Sequence, residues 1–308
     1  MNLQIVALLG QDGITNGAIY ALLALSIVLV FTVTRILLIP QGEFVSFGAL
    51  TMGMMQNGQP LTVAWLLVAM CLGACAFDLY DMWRTSRRRP SLWLPAKLVY
   101  AVVVAGLALN LNFSTLPMLA QIAMTLLLLV PMGPLMYRMA FQPIASASPL
   151  VLLIVSIAVH VALVGVALLV FGPEGARTAP FTEASLELGS LRLSSQALWV
   201  ICVSLLLIVG LFLMFERTLY GKALRAAALN RMGARLMGIS PVFAGKAMFL
   251  LASLIGVMSG VLIAPITTIY YDSGFLISLK GFVGSIIGGL VSYPVAAIGA
   301  LAIGLIES

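Results

Sequence analysis

The sequence predicts an all-α fold: a polytopic transmembrane helical bundle of about eight spans plus two possible re-entrant or broken helices. Three observations lead there. Apolar residues make up 62% of the 308 residues and charged ones 8%, against roughly 25% charged in soluble domains. The apolar residues fall in runs close to the ~20 residues that cross a bilayer. The basic residues fall in short stretches between those runs, most of them on one side of the threaded chain.

The spans are 14–33, 61–77, 98–111, 116–137, 150–171, 196–215, 247–263 and 294–306. Two further apolar stretches, 37–55 and 275–290, each hold several glycines and one ionisable residue, Glu43 and Lys280 respectively. Such stretches suit broken helices inside the protein better than lipid-facing spans. No basic residue precedes the first apolar run, so a secretory signal peptide is not expected. Cys71, Cys75 and Cys202 all lie in apolar segments, where they read as buried small hydrophobes and not as a disulfide framework or metal site.

Charge sets the orientation. With the N-terminus outside, 13 of the 16 basic residues fall on one face, namely Arg35, Arg84, Arg87–Arg89, Lys97, Arg138, Arg217, Lys222, Arg225, Arg231, Arg235 and Lys246. Arg177 and Arg192 fall on the other, together with Asp12, Glu174, Glu183, Glu187 and Asp272. The basic face is then cytoplasmic, and the net charge of +6 is a topology signal, with no nucleic acid implied. The outer loop 172–195 carries polar–apolar alternation over 181–193 with a turn near Gly189–Ser190, the pattern of a short β-hairpin. The inner loop 78–97, with Arg87–Arg88–Arg89–Pro90, Trp83 and Trp93, reads as an interfacial anchor.

No catalytic constellation, cofactor motif or metal-ligand cluster stands out, and no nucleotide-binding P-loop is present, so an enzyme is disfavoured. His160, the one histidine, sits in the middle of a span and reads as a packed or hydrogen-bonded helix residue, with a place beside a substrate pathway as the alternative. Glu43 follows Pro40–Gln41–Gly42, where a helix breaks or begins. Either it faces the bundle interior, stabilised by exposed backbone amides, or it lies near the cytoplasmic interface close to Arg35 and orients a helix. The spacings Gly256–Gly260 and Gly284–Gly288 place small residues on one helix face and let backbones approach.

The basic loop 217–246 is the most informative stretch. Its alanines, Ala223 and Ala226–Ala228, beside Lys222 and Arg225, form a good short helix with a small-residue surface. Gly233 and Gly238 punctuate it, and Ser240–Pro241 reads as the cap and first residue of the next helix. A structured cytoplasmic segment of this length suits docking into a groove; a solvated positive-inside loop is the plainer reading.

At this loop the sequence resembles the permease family of branched-chain amino-acid ABC importers. The resemblance rests on Tyr220-Gly221-Lys222-Ala223-Leu224-Arg225-Ala226 with Ala234, Leu236, Met237, Gly238 and Ile239. It also rests on Gly17, Tyr20-Ala21-Leu22, Gln41-Gly42-Glu43 and Gly48, on Tyr137-Arg138-Met139-Ala140-Phe141-Gln142-Pro143, and on Lys280-Gly281-Phe282 through Gly288-Gly289-Leu290, Pro294, Gly299, Gly304 and Glu307. The family usually has His-Gly-Glu where this chain has Gln41-Gly42-Glu43. Segment 78–111 reads as an insertion, and the chain stops at Ser308 where family members usually continue through at least one more span.

The resemblance implies one transmembrane permease domain over 1–308, with 216–246 as the segment that couples to an ATPase through Tyr220, Gly221, Arg225, Ala226 and Gly238. It implies two cytoplasmic ATPase subunits, a second related permease and a periplasmic solute-binding protein as partners, in the inner membrane of a bacterium. Loop 172–195 is the expected docking element for the binding protein. Gln41, Gly42, Glu43 and Lys280 are the candidates for lining the pathway. The substrates implied are branched-chain or related amino acids, with urea or short amides as alternatives. An ion-coupled transporter or channel using Glu43 or His160 is the rival reading.

Overall fold

The computed structural model describes residues 3–85, 93–182, 185–188 and 191–308. The arginine run 87–89 with Pro90, Glu183 and the expected turn at Gly189–Ser190 lie outside the described residues. The chain is an all-α polytopic bundle in which six helices among the described residues are long and apolar enough to cross a membrane. Those segments are Leu8–Thr34, Val63–Arg84, Met118–Ile144, Pro149–Phe171, Ser195–Arg217 and Pro241–Ile263. The other two expected spans, 98–111 and 294–306, fall in shorter helices, α4 (Trp93–Asn110) and α13 (Tyr293–Glu307). The two glycine-bearing stretches fold as α2 (Gln41–Gln56) and α12 (Ser273–Ile287), of 16 and 15 residues. Both are too short to cross alone at 1.5 Å per residue.

Helix α1 (Leu3–Thr34) is the axis. Its core residues Ile19, Leu22, Leu23, Ala24, Val28 and Val30 are wholly buried. Around it pack α11 (Pro241–Ile263), α12, α13 and α8 (Ser195–Arg217). Helices α3 (Val63–Thr85) and α4 pair at the periphery, and α7 (Pro149–Phe171) lies against α2 with most of its surface outward. Lipid solvates such apolar faces, so a spanning helix need not be buried to be stable. This corrects the reading of the cysteines: Cys71 and Cys75 are buried, but Cys202 on α8 is exposed.

Glycines set the closest contacts. A Cβ on Gly260 would overlap the carbonyl of Val45, and one on Gly256 would stand 2.7 Å from the Phe44 Cβ. Gly284 and Gly288 meet Ala300 and Ala296 of α13 in the same way, at 2.7 Å in each case. The backbones of Gly42 and Gly274 abut, and Gly274 N donates to Ser46 Oγ at 2.8 Å. Dispersion rewards such approach where lipid supplies no hydrophobic drive.

The third span is not a uniform helix. It runs as α5 (Met118–Leu129), α6 (Met132–Met136), a π turn at Tyr137–Phe141 and a 3-10 turn at Gln142–Ile144. Pro143 has no N–H for the Met139 carbonyl, and the last turns re-pair around it. The predicted hairpin is present as β1 (Ser185–Leu188) and β2 (Leu191–Ser194), antiparallel with Glu187 opposite Arg192. The loop before it is laced to the bundle at this hairpin end. Ala176 pairs with Ile269, Arg177 Nε donates to Pro265 O at 3.0 Å, and Ala179 N donates to Gln56 Oε1 at 2.8 Å.

Gly260→Leu should force α2 and α11 apart and destabilise the bundle by about 2 kcal/mol or more. Gly210→Leu, on a face of α8 with open space beside it, should not. Thermal unfolding of the two variants in the same detergent checks the contrast.

Candidate functional site

Three groups of polar residues are held inside or against the bundle, and the first lies at mid-depth. Helix α2 begins at Gln41 after Pro40, and Gln41 Nε2 donates to Ala252 O at 3.0 Å. Ala252 is halfway along α11, so the N-terminus of α2 lies level with the middle of a span. Glu43, in the first turn of α2, meets His160 Nδ1 through Oε1 at 2.7 Å. His160 is itself halfway along α7. The Glu43 side chain is 1% exposed. A carboxylate at such depth costs about 2.5–3.5 kcal/mol, which the imidazole contact and the amides of the opening turn of α2 offset.

Two neighbours fix this pair. Ser156, one turn before His160 on α7, donates to Leu37 O at 2.6 Å and accepts from Ile39 N at 3.0 Å. That clamp holds the extended stretch leading into α2 against α7. Phe275, near the start of α12, lies against the imidazole with centroids 4.6 Å apart. His160 and Phe275 line a cleft of about 280 Å³ whose other walls include Ile27, Leu38, Ile157 and Phe282. The N-termini of two half-length helices therefore meet at mid-depth beside a carboxylate, an imidazole and an apolar cleft.

The second group is Lys280, which does not join Glu43. Its ammonium lies on the other side of α12, bonded to Glu307 and to Tyr20 Oη at 3.2 Å, while Tyr20 donates to Glu307 Oε2 at 2.9 Å. The third group is at the opposite, basic end of the bundle. Arg138, in the π turn, donates from Nε to Asp78 Oδ1 at 2.6 Å and from Nη2 to Asp81 Oδ2 at 2.5 Å. Lys97 adds a contact to Asp78 at 2.5 Å, so one network ties α3, α4 and the third span together.

At the basic end, the segment after α8 forms two short helices. Thr218 caps α9 (Leu219–Leu229), accepting from Gly221 N at 3.0 Å, and Asn230 caps α10 (Arg231–Leu236), accepting from Gly233 N at 2.9 Å. The break thus falls at Asn230, and Gly233 lies within α10. Gly238, at φ +83°, makes the turn to Ser240, which caps α11 as the sequence predicts. Gly221 packs against the backbone of Met214 and Phe215 with no room for a Cβ. Arg225 pairs with Glu216. Leu224, Ala227 and Ala234 face inward, while Leu219, Tyr220, Leu229, Met232, Leu236 and Met237 are all more than two-thirds exposed.

Fold and site together define a multi-pass membrane protein of the permease kind, with broken helices meeting at mid-depth and a structured segment at one end. The family profile described as "Branched-chain amino acid transport system / permease component" matches residues 11–308, and the chain belongs to that family. It is 22% identical over 311 residues to the high-affinity branched-chain amino acid transport system permease protein LivH of Escherichia coli K12, covering 96% of this chain and 83% of that one. It is 29% identical over 222 residues to a probable branched-chain amino acid transport permease protein LivH of Methanocaldococcus jannaschii, covering 68% of each. A Pseudomonas aeruginosa relative, BraD, is 25% identical over 207 residues, covering 65% of this chain and 67% of that one. No solved structure matches.

Sequence reasoning named both Glu43 and His160 but did not pair them. The signal was there: a lone histidine in the middle of a span, 117 residues from the carboxylate it meets, but nothing in sequence spacing joins the two. Arg138→Gln should strip Asp78 and Asp81 of a charged donor that is itself nearly buried, destabilising the chain by about 2 kcal/mol. A lowered unfolding midpoint, with less of the loss when Asp78→Asn is added, would show it.

Proposed function

We propose that this chain is the membrane permease subunit of an ATP-binding-cassette importer that takes up branched-chain or related amino acids. It sits in the inner membrane of a bacterium with its N-terminus and hairpin end outside. A periplasmic binding protein delivers substrate to the loop 172–195. A second related permease shares the pathway, and two cytoplasmic ATPase subunits drive it.

The observation that carries this reading is the 216–246 segment. Six large apolar side chains stand exposed, five on two capped helices and Met237 just after them, at the end where most basic residues gather. Lipid cannot cover them beside so much positive charge without leaving that charge in hydrocarbon, and water leaves their apolar area unburied. A protein groove with acidic rims covers both. Tyr220, Arg225, Ala226 and Gly238 lie on or beside this surface, and Gly221 seats it on α8. Gln41, Gly42 and Glu43 line the pathway's mid-depth, with Lys280 on its own flank. Segment 78–111 is an insertion that α3 and α4 carry at the periphery.

The same Glu43–His160 pair also supports the rival reading, an ion-coupled transporter or channel. Uptake of radiolabelled leucine into proteoliposomes separates them. The importer needs the ATPase subunits and ATP, whereas the rival works without them and stops when the ion gradient is dissipated. Uptake of urea or acetamide in place of leucine would move the substrate to the family's alternatives.

Gly221→Leu should push α9 off α8 and lower leucine uptake at least tenfold while the ATPase subunits go on hydrolysing ATP. Ala226→Trp should do the same by blocking the docking surface, without reducing the amount of chain in the membrane. Normal uptake by both variants would remove the docking argument.

A further inference from the structure

From the charged side chains left open on α12 and α13, we infer that the outward face of these two helices is the surface on which the second permease packs. Depth decides first. Gly281 packs against Tyr20, Leu23 and Ala24, and Gly304 against the backbone of Gly17. All four partners lie in the middle third of the span Leu8–Thr34. Lys280 and Glu307, bonded to each other and to Tyr20, are therefore held near the middle of the membrane. Yet their side chains are 37% and 41% exposed, whereas that of Arg138, in the network at the basic end, is 7% exposed. Asp272 is exposed as well and makes no capping bond. It stands two residues before Gly274, which abuts Gly42 at the mid-depth start of α2.

Lipid does not suit this face. Ionisable side chains inside a membrane face protein or a water-filled cavity, and so does the non-helical backbone that leads into α12 at this depth. Each of the two helices has 15 residues, about 22 Å of length against the ~30 Å of the hydrocarbon core. Helix α3, at the periphery with α4, looks different. It exposes Trp65 near one end and Tyr80 and Trp83 near the other, the aromatic belts of a lipid-facing span. None of the large side chains exposed on α12 and α13 is aromatic.

Water alone does not suit the face either. Leu276, Val283, Ile287, Val295 and Ile298 stand exposed around the charges. A protein surface with apolar side chains and a few polar ones at the same level covers both kinds. A second permease of the same family meets that requirement by symmetry. A twofold rotation about the membrane normal preserves depth, so it brings a Lys280-like cation on one subunit level with a Glu307-like anion on the other. The cleft of about 280 Å³ opens beside this face, between α7 and α12, where Ile157 and Leu279 on its rim are exposed. A subunit seated on α12 closes it. The inference rests on the permease reading for the existence of that second subunit.

Photocrosslinking tests it in membranes that contain the whole importer. A p-benzoylphenylalanine placed at Val283 should join this chain, on irradiation, to a second polypeptide whose peptides identify it as a permease of the same family or another copy of this chain. The same group at Leu72, exposed on α3, should give lipid adducts and lose the permease adduct. If the chain with the reporter at Val283 does not fold, Ile298 on α13, which is 66% exposed, takes its place with the same expectation. Lipid adducts alone from the α12–α13 face, a crosslink within one chain, or a permease adduct from Leu72 would overturn the inference. Leucine uptake, measured in the same membranes, keeps the two claims apart. A permease adduct with uptake that needs no ATPase subunits overturns the importer and leaves the interface standing. ATP-driven uptake with lipid adducts alone does the reverse.

Discussion

Everything inside the bundle depends on the approach of α2 to α11 and α12 without intervening side chains. Gly256 and Gly260 let the backbone of α2 lie against α11, and Gly42 and Gly274 let the starts of two half-length helices touch. Any side chain at these positions would widen the gap by more than packing can absorb. With the gap closed, the opening turn of α2 sits at mid-depth, and with it a carboxylate that hydrocarbon would otherwise exclude. Backbone amides that a continuous helix would have satisfied internally become available to stabilise negative charge there. The broken helices are thus the means by which polar chemistry is carried into the interior.

The polar clusters serve different ends. Arg138 with Asp78, Asp81 and Lys97 is internally neutral and joins three elements at the basic end. Tyr20, Lys280 and Glu307 also balance their charges and join α1, α12 and α13. Glu43 and His160 differ from both, because one carboxyl oxygen of Glu43 is buried without a hydrogen-bond partner among the described residues. An unpartnered polar atom of that kind is costly at depth, and ionisable residues inside a membrane usually mark functional sites.

How much of this was legible in the sequence depends on the range of each signal. Span positions, the hairpin and the Ser240 cap are local and read directly from composition, alternation and capping. The glycine spacings pointed to close packing, and the structure names their partners. The 37–55 and 275–290 stretches read as broken helices because a glycine-rich run with one charge has no place facing lipid. Long-range pairings were not legible: Glu43 with His160, Arg138 with Asp78, and Lys280 with Glu307 each join residues far apart in the chain. Nor could the sequence separate exposure to lipid from burial in protein, since both favour the same side chains. Cys202 and the outward faces of α7 and α8 show that ambiguity.

Helix α8 joins the two ends of the molecule in a way neither end discloses alone. At the basic end it carries α9, seated through Gly221 with no room for a side chain between them. At the hairpin end its buried Gln196 donates to Leu262 O at 3.0 Å and accepts from Phe181 N at 3.1 Å. Between them lie 23 residues of uninterrupted helix, a stiff rod of about 34 Å, packed on one side against α1 and α11 and exposed along the other. A tilt imposed at α9 would be carried along this rod to the hairpin loop and the end of α11, so the helix has the form of a lever with its load at the mouth.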